Sequence, residues 1–209
     1  MTSTNHQPLV IQLLGQARSG KDFTATNLKL YYESIGKSVE IMSYAAPMKQ
    51  IAATLFGITL EQLDDFKNNS NRVSIEVYDG QSNGAAYRGN LLVESNFRIF
   101  LQKLGNEAVK PLLGDAIWAN LMQSAIAQSS ADILIIPDCR FRVELAAIGG
   151  TTIRVINSTL LEPMQHASEL ELADFVTDFV LDNTDYQVNL ATIAELATRV
   201  CPMDFTIQL

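Results

Sequence analysis

The residues that most constrain this chain stand near its start. An apolar run, Leu9-Val-Ile-Gln-Leu-Leu14, gives way to Gly15-Gln-Ala-Arg-Ser-Gly20-Lys21, and a run of helix-compatible residues follows. The pattern is G-x-x-x-x-G-K between an expected strand and an expected helix, the context a phosphate-binding loop requires. Glycines let backbone N–H groups turn inward, the helix start adds partial positive charge, and Lys21 reaches toward terminal phosphates. The alternative is a glycine-rich turn whose lysine is merely solvated. Loops of this kind commonly carry Ser or Thr after the lysine, and here the residue is Asp22. Its carboxylate is a hard oxygen ligand suited to Mg²⁺, directly or through water. As a first-turn acid it also complements the helix dipole. Ser19 or Thr24 stands close enough in sequence to take part of the missing hydroxyl's role. Arg18, inside the loop, faces either phosphate or solvent.

Strand and helix signals alternate along the rest of the chain. Strands are expected at 8–14, 39–44, 131–138, 151–156 and 179–183, with ADILIIPD (131–138) a near-continuous apolar run of the kind that fills the centre of a parallel sheet. Helices are expected at 20–35, ended by Gly36, at 46–57, from Thr59 with a capping-type pattern, and at 95–112, 115–128, 141–148 and 185–200. In the 95–112 helix, Phe97, Phe100, Leu101, Leu104 and Ala108 share one side. The stretch 67–94 is rich in Asn, Ser and Gly with weak periodicity, and reads as an insertion or mobile loop within one domain. Residues 157–172 are irregular and polar. The fold expected is α/β, a five-stranded parallel sheet with helices on both faces and ligands at the carboxyl ends of the strands.

Bulk properties exclude several classes. The 209 residues suit one domain with an insertion or a lid, spanning 1–209. Fifteen basic against 23 acidic residues leave a net charge of −8, which disfavours stable nucleic-acid binding. A small anionic substrate remains compatible, because a few local arginines outweigh the global sign. Cys139 and Cys201 are far apart, with no disulfide or zinc pattern, so a reducing cytoplasm is the expected setting. No signal peptide is expected in the polar first eight residues, and no apolar run reaches membrane-spanning length.

Three further groups carry chemistry. Arg98 and Gln102 are four apart on one helix face, where a guanidinium forks onto phosphate and an amide reads a base edge. A surface ion pair is the plainer role for Arg98. Glu107 and Lys110 follow, and Trp118 either stacks on a base or packs in the core. Asp138 ends a buried strand, where it accepts a sugar hydroxyl, orients Mg²⁺ waters, holds an arginine or caps a helix. Arg140, two residues on, is placed to neutralise charge on a transferring phosphoryl group. Gln165-His166-Ala-Ser168-Glu169 is a polar segment in the expected lid, 157–172.

In order along the chain, SGKD (19–22), SYAAPMKQIAATLFGIT (43–59), RIFLQKLGNE (98–107) with IW (117–118), PDCRF (137–141) with Glu144, and HASE (166–169) resemble the bacteriophage deoxynucleoside monophosphate kinases. The resemblance runs over roughly residues 9–183. It implies a P-loop NTPase fold of the nucleoside monophosphate kinase type, with a lid and a helical acceptor-binding region at 45–128. It implies that Ser19, Lys21 and Asp22 serve the ATP phosphates and Mg²⁺; Gly15, Arg18, Gly20 and Phe23 are expected beside them on ATP, and analogy of fold alone puts Asn183 near adenine. Arg98, Gln102, Glu107, Trp118 and Asp138 then serve the acceptor, and Lys21, Arg98, Asp138 and Arg140 the transfer. The expected partners are ATP and a deoxynucleoside monophosphate, with no membrane and with a homodimer among the allowed assemblies. The expected location is the cytoplasm, the host's if the chain is phage-encoded. Asn106 stands where this family more often has Thr, Lys110 where it tends to have Arg, and Pro137 where Thr is common. A P-loop kinase of another small acceptor, a nucleotide-binding regulator without turnover, and a DNA-processing P-loop protein are the rival classes.

Overall fold

The computed structural model describes residues 7–68, 73–79, 87–93, 97–160 and 171–202. The chain divides into two compact units, one formed by Met1–Tyr44 with Trp118–Leu209 and one by Ala45–Ile117.

The first unit is built on a parallel sheet. Its strands are β1 (Leu9–Leu14), β2 (Val39–Ile41), β5 (Ile133–Ile136), β6 (Thr151–Ile156) and β7 (Phe179–Asp182), in the order β2-β5-β1-β6-β7. All four neighbouring pairs are parallel, as the alternation of strands and helices requires. β1 lies at the centre. Its odd residues Ile11 and Leu13 join one apolar cluster with Ala25, Leu28 and Tyr32 of helix α1 (Lys21–Ser34) and Ile193, Leu196 and Ala197 of helix α8 (Tyr186–Val200). Tyr32 is wholly buried there, and its hydroxyl donates to the Ala197 carbonyl at 3.0 Å. Burial raises the Tyr32 phenol well above its usual range, so the hydroxyl stays a donor.

On the opposite face of β1, Gln12 is buried among polar partners. Its Nε2 donates to the Gly149 carbonyl at 2.7 Å, just beyond helix α7 (Arg142–Ile148). Tyr44 donates its hydroxyl to Gln12 Oε1 at 3.3 Å and to the Glu144 carbonyl at 3.1 Å. Helix α6 (Ile117–Gln128) joins α7 through Gln123 Nε2, which donates to the Ala147 carbonyl at 2.7 Å. Helices therefore cover both faces, and four buried residues in succession along β5 follow from that double cover. β2 stops at Ile41, three residues short of the expected strand, because Ser43 and Tyr44 turn toward the end of β5.

The second unit holds helices α2 (Ala46–Phe56), α3 (Leu60–Asn68) and α4 (Phe97–Lys103) around Ala52, Ala53, Leu63, Phe97 and Leu101. Phe56 packs against Phe97 and Phe100 with ring centroids 5.0 Å apart in each case. The capping pattern at Thr59 forms in full: Gln62 N–H donates to Thr59 Oγ1 at 3.1 Å, and Gln62 Oε1 accepts from Thr59 N–H at 2.9 Å.

Two sequence expectations change here. Within the stretch 67–94, expected as an insertion or mobile loop, β3 (Val73–Asp79) pairs antiparallel with β4 (Tyr87–Val93). The expected 95–112 helix is broken into α4, a π-helical turn at Leu104–Val109 and the short helix α5 (Lys110–Leu113). Pro111 supplies a physical reason. It has no N–H to give the Glu107 carbonyl, and its ring clashes with that carbonyl in a regular helix. The chain widens instead, so that Lys110 N–H bonds the Gly105 carbonyl five residues back. The wide turn also changes the phase of the apolar stripe: Gly105 is buried and Ala108, expected in the stripe, is exposed. Among the described residues no helix is long and apolar enough to cross a membrane.

Candidate phosphate-binding site

The loop at 15–20 leaves the carboxyl end of the central strand and enters α1. Its shape depends on two glycines. Gly15 has φ 142° and Gly20 φ 95°, both in territory L side chains rarely adopt. Space forbids a side chain as well. A Cβ on Gly15 would stand 2.2 Å from the Val155 carbonyl oxygen, and one on Gly20 would stand 1.7 Å from Asn183 Nδ2. The loop is therefore seated directly on the carboxyl ends of β6 and β7. Arg18, at φ 65°, takes the tip in the left-handed region and is exposed. Thr24 N–H donates to the Gly20 carbonyl at 2.9 Å, so the helix ladder starts immediately behind the loop. Its fourteen residues align peptide dipoles with their positive end at the loop.

Lys21 Nζ donates to the carbonyls of Gly15 and Gln16, at 2.7 Å each. Its ammonium thus lies over the loop. Each ammonium–carbonyl bond contributes about 1.5–3 kcal/mol net, little enough for a doubly charged phosphate to displace. Asp22 is exposed on the first turn, and Phe23 packs at the edge of the sheet core. Ser19 Oγ in the loop, Thr24 Oγ1 in the first turn of α1 and Asn183 Oδ1 just after β7 are buried without a hydrogen-bond partner. Unsatisfied buried oxygens are uncommon in folded proteins and cluster where a ligand, ion or water belongs.

Asp138 emerges at the carboxyl end of β5. Its Oδ2 accepts from Ser43 Oγ at 2.6 Å and its Oδ1 from Tyr44 N–H at 3.0 Å, so it ties the end of β2 to the end of β5. The helix cap belongs to Glu144 instead. That carboxylate is 3% exposed and accepts from the N–H groups of Arg140 and Phe141 at 2.8 and 3.1 Å. Arg140 is thereby held by its backbone next to Asp138. Burial, with Glu144 and Asp138 as anionic neighbours, raises Cys139 well above the usual thiol range, so it remains a neutral packed thiol.

Asn183 departs from the sequence expectation, and Trp118 falls on the core-packing side of its two alternatives. Asn183 is wholly buried, and its amide donates to the Ser19 carbonyl at 2.8 Å, so its observed contact is with the phosphate loop. Trp118 is 7% exposed beside buried Ala119 and Met122, which matches core packing better than a stacking platform. Arg98 and Glu107 are exposed and Gln102 is half-buried, all three within the second unit. His166, Ser168 and Glu169 lie outside the described residues. Sequence reasoning gave no role to Gln12, Ser43 or Tyr44, although a lone amide inside an apolar strand was a visible signal for Gln12.

A glycine loop seated on a five-stranded parallel sheet, opening a helix with lysine at its first position, defines a P-loop NTPase-like α/β fold. No protein-family model matches the chain, and no curated protein matches it. Three of the solved structures similar to the chain share 13% identity with it. The protein APE1195 has a TM-score of 0.45 over 93% of this chain and 97% of its own. The pnob8 ParA structure has a TM-score of 0.42 over 92% of this chain and 71% of its own. An unliganded sugar kinase from Janibacter sp. HTCC2649 has a TM-score of 0.37 over 92% and 94%. The class rests on the sheet and the loop.

Proposed function

We propose that this chain is an ATP-dependent deoxynucleoside monophosphate kinase, converting a deoxynucleoside monophosphate and ATP to the diphosphate and ADP. The observation that supports it most is the loop itself: two glycines in positive-φ geometry, pressed against Val155 and Asn183, with Lys21 folded over their carbonyls. The acceptor assignment rests on the ordered motifs of the sequence, above all R-x-x-x-Q-x-x-G-x-E at 98–107.

The residues present fit ATP and Mg²⁺. The cradle has no room for side chains, and the donor set near it is all oxygen: the Ser19 and Thr24 hydroxyls and the Asp22 carboxylate. Bound ATP supplies the phosphoryl group and Mg²⁺ neutralises its oxygens. The backbone N–H groups of 15–20 and the α1 dipole bind the phosphates, and the Lys21 ammonium exchanges its carbonyl partners for phosphate oxygens. Arg98 holds the acceptor phosphate, Gln102 reads its base edge, Glu107 lines the acceptor pocket, and Arg140 neutralises charge as it shifts. Asp138, already bound to Ser43 and Tyr44, keeps the ends of β2 and β5 in one arrangement. No protein base is required, because the acceptor phosphate oxygen is itself nucleophilic at neutral pH. Catalysis then comes from positioning and charge.

The test is a coupled ADP-release assay across deoxy- and ribonucleoside monophosphates and a panel of other small acceptors. Turnover is expected with at least one deoxynucleotide, and Lys21→Ala is expected to lower kcat by about 10²–10³-fold while the protein stays folded. ATP consumption with other acceptors but no deoxynucleotide removes the substrate assignment. ATP binding with no product from any acceptor makes the chain a nucleotide-binding regulator.

A further inference from the structure

Asn183 occupies a position that the phosphate loop by itself does not explain. It follows β7 directly, is wholly buried, and its backbone N–H donates to the Ile156 carbonyl at 2.7 Å, which fixes it to the end of β6. From there its Nδ2 donates to the Ser19 carbonyl at 2.8 Å. The same nitrogen stands 1.7 Å from the place a Gly20 Cβ would take. One amide therefore contacts two successive loop residues, the first by a hydrogen bond and the second by packing.

The geometry of the peptide gives this contact a consequence. In a planar trans peptide the C=O of one residue and the N–H of the next point in opposite directions. The Ser19 carbonyl and the Gly20 N–H belong to one such plane. A donor that pins the carbonyl beneath the loop turns that N–H toward the other side, where phosphate oxygens would lie. Without the donor, the Ser19–Gly20 peptide is free to flip, because Gly20 tolerates either orientation. A flipped peptide presents a carbonyl to the phosphates and repels them.

We propose that Asn183 is a positioning residue that presets the phosphate loop by anchoring the Ser19–Gly20 peptide from the end of β7. The proposal rests on the phosphate-loop assignment above and not on the identity of the acceptor. It also explains why glycine is needed at position 20 on grounds of space as well as φ.

The experiment is calorimetric titration of the full chain with Mg·ADP in the absence of any acceptor. Asn183→Ala removes the donor. Asn183→Asp keeps the shape but sets a carboxylate oxygen against the Ser19 carbonyl. Both variants are expected to weaken ADP binding by about tenfold or more, the effect of one net hydrogen bond of preorganisation. The KM for the acceptor should stay unchanged while that for ATP rises. Gly20→Ala should weaken ADP strongly, and adding Asn183→Ala to it should cost less than about threefold more, because the contact is already broken. ADP binding within about twofold of wild type in both Asn183 variants overturns the proposal, as do independent, multiplying losses in the double variant. If only Asn183→Ala fails to fold, Asn183→Asp decides. If both fail to fold, Asn183 is a requirement of the fold and the proposal falls. A wild type that binds no ADP removes the phosphate-loop assignment itself, an outcome distinct from a folded Asn183 variant that binds normally.

Discussion

At Gly15 a methyl group would need the space of the Val155 carbonyl oxygen, and its backbone φ of 142° is already unfavourable to any other residue. Steric crowding against a strand end cannot relax as a flexible side chain would, since the strand is hydrogen-bonded on both sides. Gly15→Ala is therefore expected to destabilise the fold by about 2–4 kcal/mol, strain and overpacking together, and to weaken ADP binding. Urea denaturation and the same calorimetric titration measure both. The motif was legible at this scale, because the spacing of Gly15, Gly20 and Lys21 is written in consecutive residues. The role of Asn183 was not, because it lies 164 positions from Ser19 and its partner is a backbone carbonyl that any residue would carry.

Elements show the same division. Capping at Thr59 and Gln62 was readable because both halves of the reciprocal bond lie within one turn. The π turn after α4 was missed because periodicity arguments assume 3.6 residues per turn, and Pro111 acts on a turn that precedes it. That turn sets the direction of Glu107 relative to Gln102. Pro111→Ala restores a donor for the Glu107 carbonyl and permits an ordinary helix, which rotates Glu107 about the helix axis. If Glu107 serves the acceptor as proposed, the acceptor KM is expected to rise by about fivefold or more with the ATP KM unchanged, a split that steady-state kinetics with both substrates varied would reveal. Equal KM values for wild type and variant would detach the turn from acceptor binding.

Over the whole molecule, the sheet order brings the carboxyl ends of distant segments together: residues 15, 43, 138, 157 and 183 each follow a strand. The opposite ends of the strands carry stability. There Asp178 Oδ2 accepts from the N–H and hydroxyl of Thr152, both at 2.8 Å. These two bonds hold its carboxyl below the ordinary value of 3.8. A depressed carboxylate binds fewer protons folded than unfolded, so it stabilises the fold above its unfolded pKa. That contribution fades as pH falls through the lower folded value. Asp178→Asn is accordingly expected to unfold at lower denaturant than wild type at pH 7, with the two midpoints converging as pH falls through the depressed folded value. Parallel denaturant titrations from pH 7 downward test this.

The sequence by itself determined the local patterns: a strand, a glycine loop and a helix in succession, alternating elements that require a parallel sheet, and caps closed within a turn. Those follow from interactions among near neighbours, which the order of residues states directly. Only the tertiary structure decided which atoms the loop rests on, that Asp138 binds Ser43 and Tyr44, and that Trp118 is buried. Those depend on the order of strands in the sheet, which brings together residues nearly a hundred or more positions apart and which no local pattern encodes.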